Sequence, residues 1–212
     1  LGALLHELGD YETSHDLHLR ALEIRRQIFG EAHPTTATSL ESLALLLHDK
    51  GALDESEEMH RKALQIRLDI LGHEHPHTAS SLHGLANLHL DRGELAQSEE
   101  LHAQALEIRE KKLGGDHPHT SHSLQGLGNV KTLSGAHEQA GDLLERSLLI
   151  RRKVYGNDHP HTARSYQSLG SLKQEQGDHS EAENLHQKAL EIIKDKLGDA
   201  HHYSLRSLLG LA

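Results

Sequence analysis

Apolar residues recur along the chain at three- and four-residue spacing, between fixed proline and glycine positions. One such stripe consists of Leu40, Leu43, Ala44 and Leu47. This spacing is that of one face of an α-helix. Pro34 stands where the first helical turn can spare an N–H group, and Gly51 stands where the helix would end. The pattern therefore predicts a helix between Pro34 and Gly51.

A second apolar stripe follows at the same spacing and predicts a second helix, ended by Gly72. Its members are Leu53, Ser56, Met59, His60, Ala63, Leu64, Ile66 and Ile70. No segment shows the sustained apolar–polar alternation of a strand. The unit that the pattern predicts is a pair of helices.

The pair repeats with a fixed period. The four prolines are Pro34, Pro76, Pro118 and Pro160, each 42 residues after the last (76 − 34 = 42). Glycines keep the same step at Gly30, Gly72, Gly114 and Gly156, and again at Gly9, Gly51, Gly93, Gly135 and Gly177. A constant period of this length indicates a solenoid of stacked helix pairs.

Small residues occupy columns in which two helices must approach closely. In the first helix the column is Gly2, Ala44, Ala86, Gly128, Gly170 and Ala212. In the second helix the columns are Ser14, Ser56, Ser98, Ala140 and Ala182, and Ala21, Ala63, Ala105, Ser147 and Ala189. A large side chain there would overpack the contact, at a cost of about 1–3 kcal/mol.

Composition agrees with a solenoid held together by leucine and alanine. Hydrophobic residues make up 35% of the chain and aromatic residues 2%, with no Trp and one Phe. There is no Cys, which excludes disulfides, thiolate metal sites and a Cys nucleophile. The net charge of -10 disfavours nucleic acid as the main partner. No apolar run approaches the ~18 residues of a membrane span, and residues 1–212 contain no n-region or h-region typical of a signal peptide.

The run Leu-x-x-Leu-Ala/Gly, the glycine that follows and the Ala/Ser columns resemble the tetratricopeptide repeat (TPR). The usual repeat has about 34 residues. The 42-residue form with Leu-Gly-x-x-His-Pro between units is similar to the repeats of kinesin light chains. The resemblance covers essentially the whole chain. It implies an all-α, right-handed α-solenoid of tandem helix-turn-helix pairs and a cytoplasmic protein.

We expect a single TPR solenoid over residues 1–212. It would contain a partial first repeat (1–30), four full helix pairs (34–72, 76–114, 118–156 and 160–198) and a truncated helix (202–212). Neither end reads as a polar capping repeat, which solenoids need. We therefore expect the chain to be part of a longer array.

The resemblance places the first helix of each pair on a concave groove. It implies that residues beside the leucine stripe contact a peptide or partner segment. The predicted contacts are His83, Asn87, His122, Gln125, Asn129, Arg164 and Gln167. Amide side chains can hold an extended backbone, and Arg164 can pair with ligand carboxylates. A solvated polar face without a ligand is the alternative interpretation.

Two ligand motifs of the wider family are altered here. Kinesin light chains share a Leu-Asn-Asn-Leu-Ala run, whereas this chain has Leu40-Glu-Ser-Leu-Ala44 and Leu82-His-Gly-Leu-Ala86. Where a carboxylate-clamping repeat would have Lys, this chain has Glu41, His83 and Gln125. We therefore do not transfer the ligand specificity of either motif to this chain.

Histidine is unusually common, with 22 in the chain. The linker histidines are His33, His75, His117, His159 and His201, with neighbours at His73, His77, His119 and His161. His-x-His spacing can chelate a transition metal, but a structural site normally needs four fixed ligands. We therefore predict helix-start residues and no metal site.

A second histidine column, His18, His60, His102 and His186, is interrupted by Leu144 in the fourth repeat, counting the partial first one. A ligand column would not tolerate that leucine, so the rings are predicted to pack between helices. Burial lowers the pKa of an imidazole. We therefore expect the stability of the fold to decrease as the pH drops below about 6.5.

No catalytic motif is present: no phosphate-binding loop, no nucleophile elbow and no His-Glu-x-x-His. The sequence predicts a non-enzymatic scaffold or adaptor without a cofactor, which binds a protein or peptide and neither nucleic acid nor membrane. The alternatives are a regulatory sensor array attached to an ATPase or effector domain, and metal or pH sensing through the histidines.

Overall fold

The computed structural model describes residues 11–197, and these residues form helices without any strand. Their helices are α1 (Tyr11–Phe29), α2 (Pro34–Asp49), α3 (Leu53–Leu71), α4 (Pro76–Asp91), α5 (Leu95–Leu113), α6 (Pro118–Leu133), α7 (His137–Tyr155), α8 (Pro160–Glu175) and α9 (His179–Leu197). The even-numbered helices are called first helices below, and α3, α5, α7 and α9 are called second helices. The truncated helix predicted over 202–212, the linker histidine His201 and the beginning of the predicted partial first repeat (1–30) lie outside the described residues.

The starts of the first helices are set by a histidine–proline pair. Proline occupies the first turn of α2, α4, α6 and α8. The histidine before it is the N-cap, and its Nδ1 accepts the backbone N–H two residues on, as in His75 Nδ1 from His77 N at 3.1 Å. This bond satisfies one of the donors that a helix start leaves without an intrahelical partner.

The second helices end at a glycine that has the backbone conformation the turn requires. Gly72 follows α3 with φ of 83° and Gly156 follows α7 with φ of 89°. This left-handed region carries little penalty only for glycine. Thr78 Oγ1 then donates to Gly72 O at 2.9 Å, which fastens the linker to the next first helix.

Within a pair, small residues bring the two helices together. Ser56 Oγ of α3 donates to Ala44 O of α2 at 2.8 Å, and Ser98 Oγ of α5 donates to Ala86 O of α4 at 2.8 Å. The predicted small residues Ala63, Ala105 and Ala140 are fully buried. The small columns are therefore helix contacts, as the sequence predicts.

The chain divides into two compact units, Leu1–Ile108 (unit 1) and Arg109–Ala212 (unit 2). In unit 1 the core cluster of α2 is built on Leu40, Leu43 and Leu46. In unit 2 the corresponding cluster is built on Leu144, Leu169 and Leu172. Each unit thus buries the leucine stripe of its own first helices.

The predicted packing histidines lie between helices. His60, His102 and His186 are buried. The ring of His60 faces Gly84, and the ring of His186 faces Gly170. Leu144 fills the same slot against Gly128. The packing interpretation is therefore confirmed for His60, His102 and His186, whereas His18 of the same column is only half-buried.

The Gly170→Ala variant is expected to be destabilised. A Cβ atom there would lie 2.8 Å from Cε1 and Nε2 of His186, and the buried ring has little room to move. We expect a loss of about 1–3 kcal/mol, as for other overpacked cores. Thermal or denaturant unfolding measures it.

Gly141→Ala in α7 is the matched control. There the nearest atom, Leu172 Cδ2, is 3.8 Å from the added Cβ. The same substitution should therefore stabilise the helix by about 0.5–1 kcal/mol. Equal effects of the two variants would contradict the proposed close contact between Gly170 and His186.

Candidate functional site

In unit 2, a buried hydrogen-bonded contact joins two neighbouring first helices. Gln125 of α6 donates from Nε2 to Arg164 O at 2.9 Å and to Ser168 Oγ at 2.7 Å, both on α8. Gln125 is 8% exposed. Its amide N–H groups therefore join two repeats.

The other predicted contact residues are placed as follows. In unit 1, His83 and Asn87 are half-buried one turn apart on α4, and the ring of His83 lies 5.0 Å from that of His102 in an edge-on contact. In unit 2, His122 and Asn129 on α6 and Arg164 and Gln167 on α8 are also half-buried. The structure thus brings His122, Gln125 and Arg164 together within unit 2. The assignment of all seven residues to partner binding stays a prediction.

The sequence reasoning missed a column of arginines on the second helices and α1. Its members are Arg25, Arg67, Arg109 and Arg151, at the same 42-residue step. Each arginine follows an isoleucine of the apolar stripe. These isoleucines are Ile24, Ile66, Ile108 and Ile150. The recurrence of a charged residue beside the apolar stripe in every repeat was the sequence signal that could have identified this column.

Each of these arginines makes the same two bonds to the first helix that follows it. Arg67 Nη1 donates to His77 O at 2.9 Å and to Ser81 Oγ at 2.8 Å. Arg151 Nη1 donates to His161 O at 3.1 Å and to Ser165 Oγ at 3.0 Å. The guanidinium therefore fixes the start of the next repeat against the end of the previous one.

In unit 1 this buried charge has a carboxylate partner. Arg67 is 3% exposed, and its Nη1 pairs with Glu41 Oε1 of α2. Ser81 Oγ also donates to Glu41 Oε1 at 2.7 Å. A buried charge is costly unless it is paired and hydrogen-bonded, and both conditions are met here.

In unit 2, the hydrogen-bond partners of Arg151 among the described residues are all neutral. Arg151 is 1% exposed. Besides His161 O and Ser165 Oγ, it donates from Nε to Ser121 Oγ at 3.1 Å. Burial, together with the charge of Arg164, lowers the pKa of Arg151 to about 9. It remains a cation at neutral pH, and no ion pair joins it to a carboxylate within residues 11–197.

Two imidazoles beside Arg151 are held neutral by the same surroundings. Burial, then the charges of Arg151 and Arg164, lower the pKa of His122 to about 2. The same causes lower the pKa of His161 to about 4. The two rings lie 5.5 Å apart. This part of unit 2 is therefore positive and carries neutral N–H donors.

The linker histidines stack in pairs, such as His75 with His77 at 5.2 Å and His117 with His119 at 5.3 Å. Within residues 11–197, no group of three or more His, Asp or Glu side chains has a geometry that could hold a metal ion. Over the same residues, no helix has the length and apolar character of a membrane span.

The model of the tetratricopeptide repeat matches the sequence over residues 1–69, 42–111, 77–140 and 126–195. These matches overlap and cover nearly the whole chain. The chain belongs to the tetratricopeptide repeat family. Its predicted fold class, an all-α solenoid of tandem helix pairs, is confirmed by this match together with the observed helices.

Solved TPR structures are similar to this TPR chain along most of its length. The nearly identical, kinesin-light-chain-type TPR-like repeats of a Podosopora anserina protein share 25% identity with a TM-score of 0.67, covering 93% of each chain. A variant of the same protein has a TM-score of 0.69 at 25% identity, covering 92% of each chain.

BtubC (BKLC) from P. vanneervenii has a TM-score of 0.72 at 23% identity, covering 95% of this chain and 80% of that one. The kinesin-light-chain-like character predicted from the 42-residue repeat is thereby confirmed. No curated protein matches this sequence. Proteins built from TPRs generally act as protein-interaction scaffolds without chemistry of their own.

Proposed function

We propose that this TPR array is a non-enzymatic adaptor whose first helices hold a peptide or partner segment in a concave groove. The observation that carries the proposal is the pair of hydrogen bonds from Gln125 to α8. They hold the first helices of two successive repeats side by side, which supports an extended ligand lying across both helices. The net charge of -10 favours a protein partner over nucleic acid. We also propose that the protein is located in the cytoplasm.

The half-buried amides of Asn129 and Gln167 suit such a ligand. An amide offers both donors and an acceptor and can therefore pair with the backbone of an extended peptide. Aromatic side chains, which usually anchor tight interfaces, make up only 2% of the chain. We therefore expect moderate affinity and a polar ligand.

The test is affinity capture from a cell lysate with the parent chain and with an Asn87→Ala/Asn129→Ala variant, followed by mass spectrometry. The proposal predicts a partner that the parent retains and the variant loses. A Gln65→Ala/Gln104→Ala variant is the control, because both glutamines are exposed on second helices. A partner lost only by the control variant would contradict binding at the first helices.

A further inference from the structure

The two hydrogen bonds from Gln125 to α8, called the α6–α8 bridge below, use both amide N–H groups of that side chain. Nε2 donates to Arg164 O at 2.9 Å and to Ser168 Oγ at 2.7 Å. A carbonyl oxygen can only accept, so the amide must present its nitrogen to Arg164 O. Gln125 and Ser168 are each 8% exposed. The N–H groups of Gln125 are therefore engaged within the fold and are not offered to a partner segment.

The bridge requires a serine that stands opposite the glutamine in this repeat. Gln125 and Ser168 are 43 residues apart. In the other repeats, the residue pairs at the same two positions are Glu41 with Gly84, His83 with Gly126, and Gln167 with Gly210. Glycine has no side chain that could accept a hydrogen bond. Of these pairs, Gln125 with Ser168 is the one whose side chains can form the bond.

A leucine on α7 explains why a serine fits at this position of α8. In unit 1, a Cβ atom added at Gly84 would lie 2.5 Å from Cε1 of His60, which is 24 residues earlier (84 − 60 = 24). The residue 24 positions before Ser168 is Leu144. Leu144 packs in one core cluster with Leu169, the neighbour of Ser168. An imidazole in this slot therefore requires glycine on the next first helix, whereas leucine leaves room for serine.

The relation between the slot and the next first helix recurs along the sequence with one exception. A histidine again precedes a glycine by 24 residues at His102 and Gly126, and at His186 and Gly210. The exception is His18 with Ser42, and the ring of His18 is half-buried rather than buried. Leu144 and Ser168 are therefore linked, because the leucine makes room for the hydroxyl group that accepts from Gln125.

Helix α6 is the first helix that most needs such support. It contains Gly126 and Gly128 in its middle, and glycine in the interior of a helix lowers the stability of the helix. Gln125 directly precedes Gly126, so the bridge acts where α6 is easiest to deform. Asn129, half-buried one turn after Gln125, is thereby held in place relative to α8.

From these observations we propose that Gln125 and Ser168 are positioning residues for the partner segment, and that Leu144 makes their bridge possible. This inference rests on the proposed function. Gln125 acts through α8 and not by direct contact, while the neighbouring polar groups of Asn129 on α6 and Ser171 on α8 contact the partner. Helices that already have the bound arrangement lose less conformational freedom on binding, which raises the affinity.

The probe is a peptide selected from a phage-displayed library of random dodecapeptides on the 212-residue chain. Calorimetry compares its affinity for the parent chain and for Ser168→Ala, which removes the hydroxyl group. We expect a decrease of about fivefold, the size of the loss of one neutral hydrogen bond. Equal affinity of the parent and Ser168→Ala would overturn the proposal.

The Ile193→Val variant separates positioning from stability. Ile193 is fully buried on α9, and its shortening costs about as much stability as the loss of a hydrogen bond. The bridge is retained in this variant, so the affinity for the selected peptide should equal that of the parent. An equal loss of affinity in Ile193→Val and Ser168→Ala would show that both act only through stability, which would contradict the positioning role.

The link between Leu144 and Ser168 is tested by restoring the pair found at His60 and Gly84. Leu144→His alone should melt at a lower temperature, because its ring and Ser168 compete for the same space. Leu144→His/Ser168→Gly should melt at a higher temperature than the single variant, but it should still bind the selected peptide as weakly as Ser168→Ala. Equal melting temperatures of the single and double variants would refute the link.

The bridge itself has a spectroscopic signature. The two side-chain amide protons of Gln125 should exchange with water more slowly than those of exposed Gln139 on α7, because both are buried and hydrogen-bonded. In Ser168→Ala, one of the two should exchange faster. NMR measures both rates. Rapid exchange of both protons in the parent chain would contradict the bridge.

The outcomes distinguish this inference from the proposed function. A selected peptide that loses affinity in Asn129→Ala but not in Ser168→Ala would refute the positioning role alone. A selected peptide that loses affinity in both variants would support both statements. Failure of the library to yield any peptide that depends on Asn129 would count against binding at the first helices and against the positioning role with it.

Discussion

The Glu41→Gln variant is expected to lose about 3 kcal/mol of folding stability, the largest single-residue effect that unit 1 predicts. Arg67 is buried, and Glu41 is its only carboxylate partner among the described residues. Removing one member of a buried ion pair leaves an uncompensated charge, which typically costs about 3–5 kcal/mol. The lower end applies because Gln keeps an acceptor for Ser81 Oγ. Urea unfolding followed by circular dichroism measures the loss.

Glu58→Gln is the matched control for this prediction. Glu58 forms an exposed pair with Lys62 one helical turn away. Such pairs contribute about 0.3–0.5 kcal/mol. If both variants lose the same small amount, Glu41 does not stabilise a buried charge.

Acidification from pH 6.5 to pH 5.0 is expected to remove about 3 kcal/mol from the free energy of unfolding. Burial lowers the pKa of His60 to about 4 and that of His122 to about 2. In the unfolded chain both titrate near 6.5. Between pH 6.5 and the folded-state pKa values, the unfolded state therefore binds more protons than the folded state. The free energy of unfolding decreases as the pH falls, by up to about 1.4 kcal/mol per pH unit for each ring. Melting temperatures across this range measure the effect.

The pH window avoids an opposing contribution from His48. Hydrogen bonds to Asp49 and Asp91 raise the pKa of His48 to about 9. Its stabilisation is therefore fully present below pH 6.5 and is lost only as the pH rises through about 9. At pH 6.5 and below, this group changes little.

His60→Leu is the control for the acid effect. Leucine already fills this slot in the fourth repeat, at Leu144. The variant should fold and should show about 1.5 kcal/mol less destabilisation between pH 6.5 and 5.0. An unchanged pH dependence in His60→Leu would show that His60 does not titrate as a buried ring.

The helices and their packing could be predicted from the sequence because they depend on local spacing. Pro34 and Gly51 bracket α2, which ends at Asp49, and Gly72 follows α3 directly. The small residue Ser56 and the interchange of His60 with Leu144 identified the contacts between helices. These signals lie in columns of the 42-residue repeat.

The electrostatic part of the site could not be predicted in the same way, because it depends on residues that are distant in the chain. Glu41 and Arg67 are 26 residues apart, and Gln125 and Ser168 are 43 residues apart. No short pattern pairs them. The linker histidines were predicted at helix starts, but the acceptor role of Nδ1 in His75 requires the backbone geometry of the N-cap.

The central claim, partner binding at the first helices, is tested most directly by photo-crosslinking in a lysate. Benzoylphenylalanine is placed either at Ser171, exposed on first helix α8, or at Glu183, exposed on second helix α9. The account predicts discrete crosslinked products from the Ser171 position and none from the Glu183 position. Products from the Glu183 position alone would contradict it and would assign binding to the second helices.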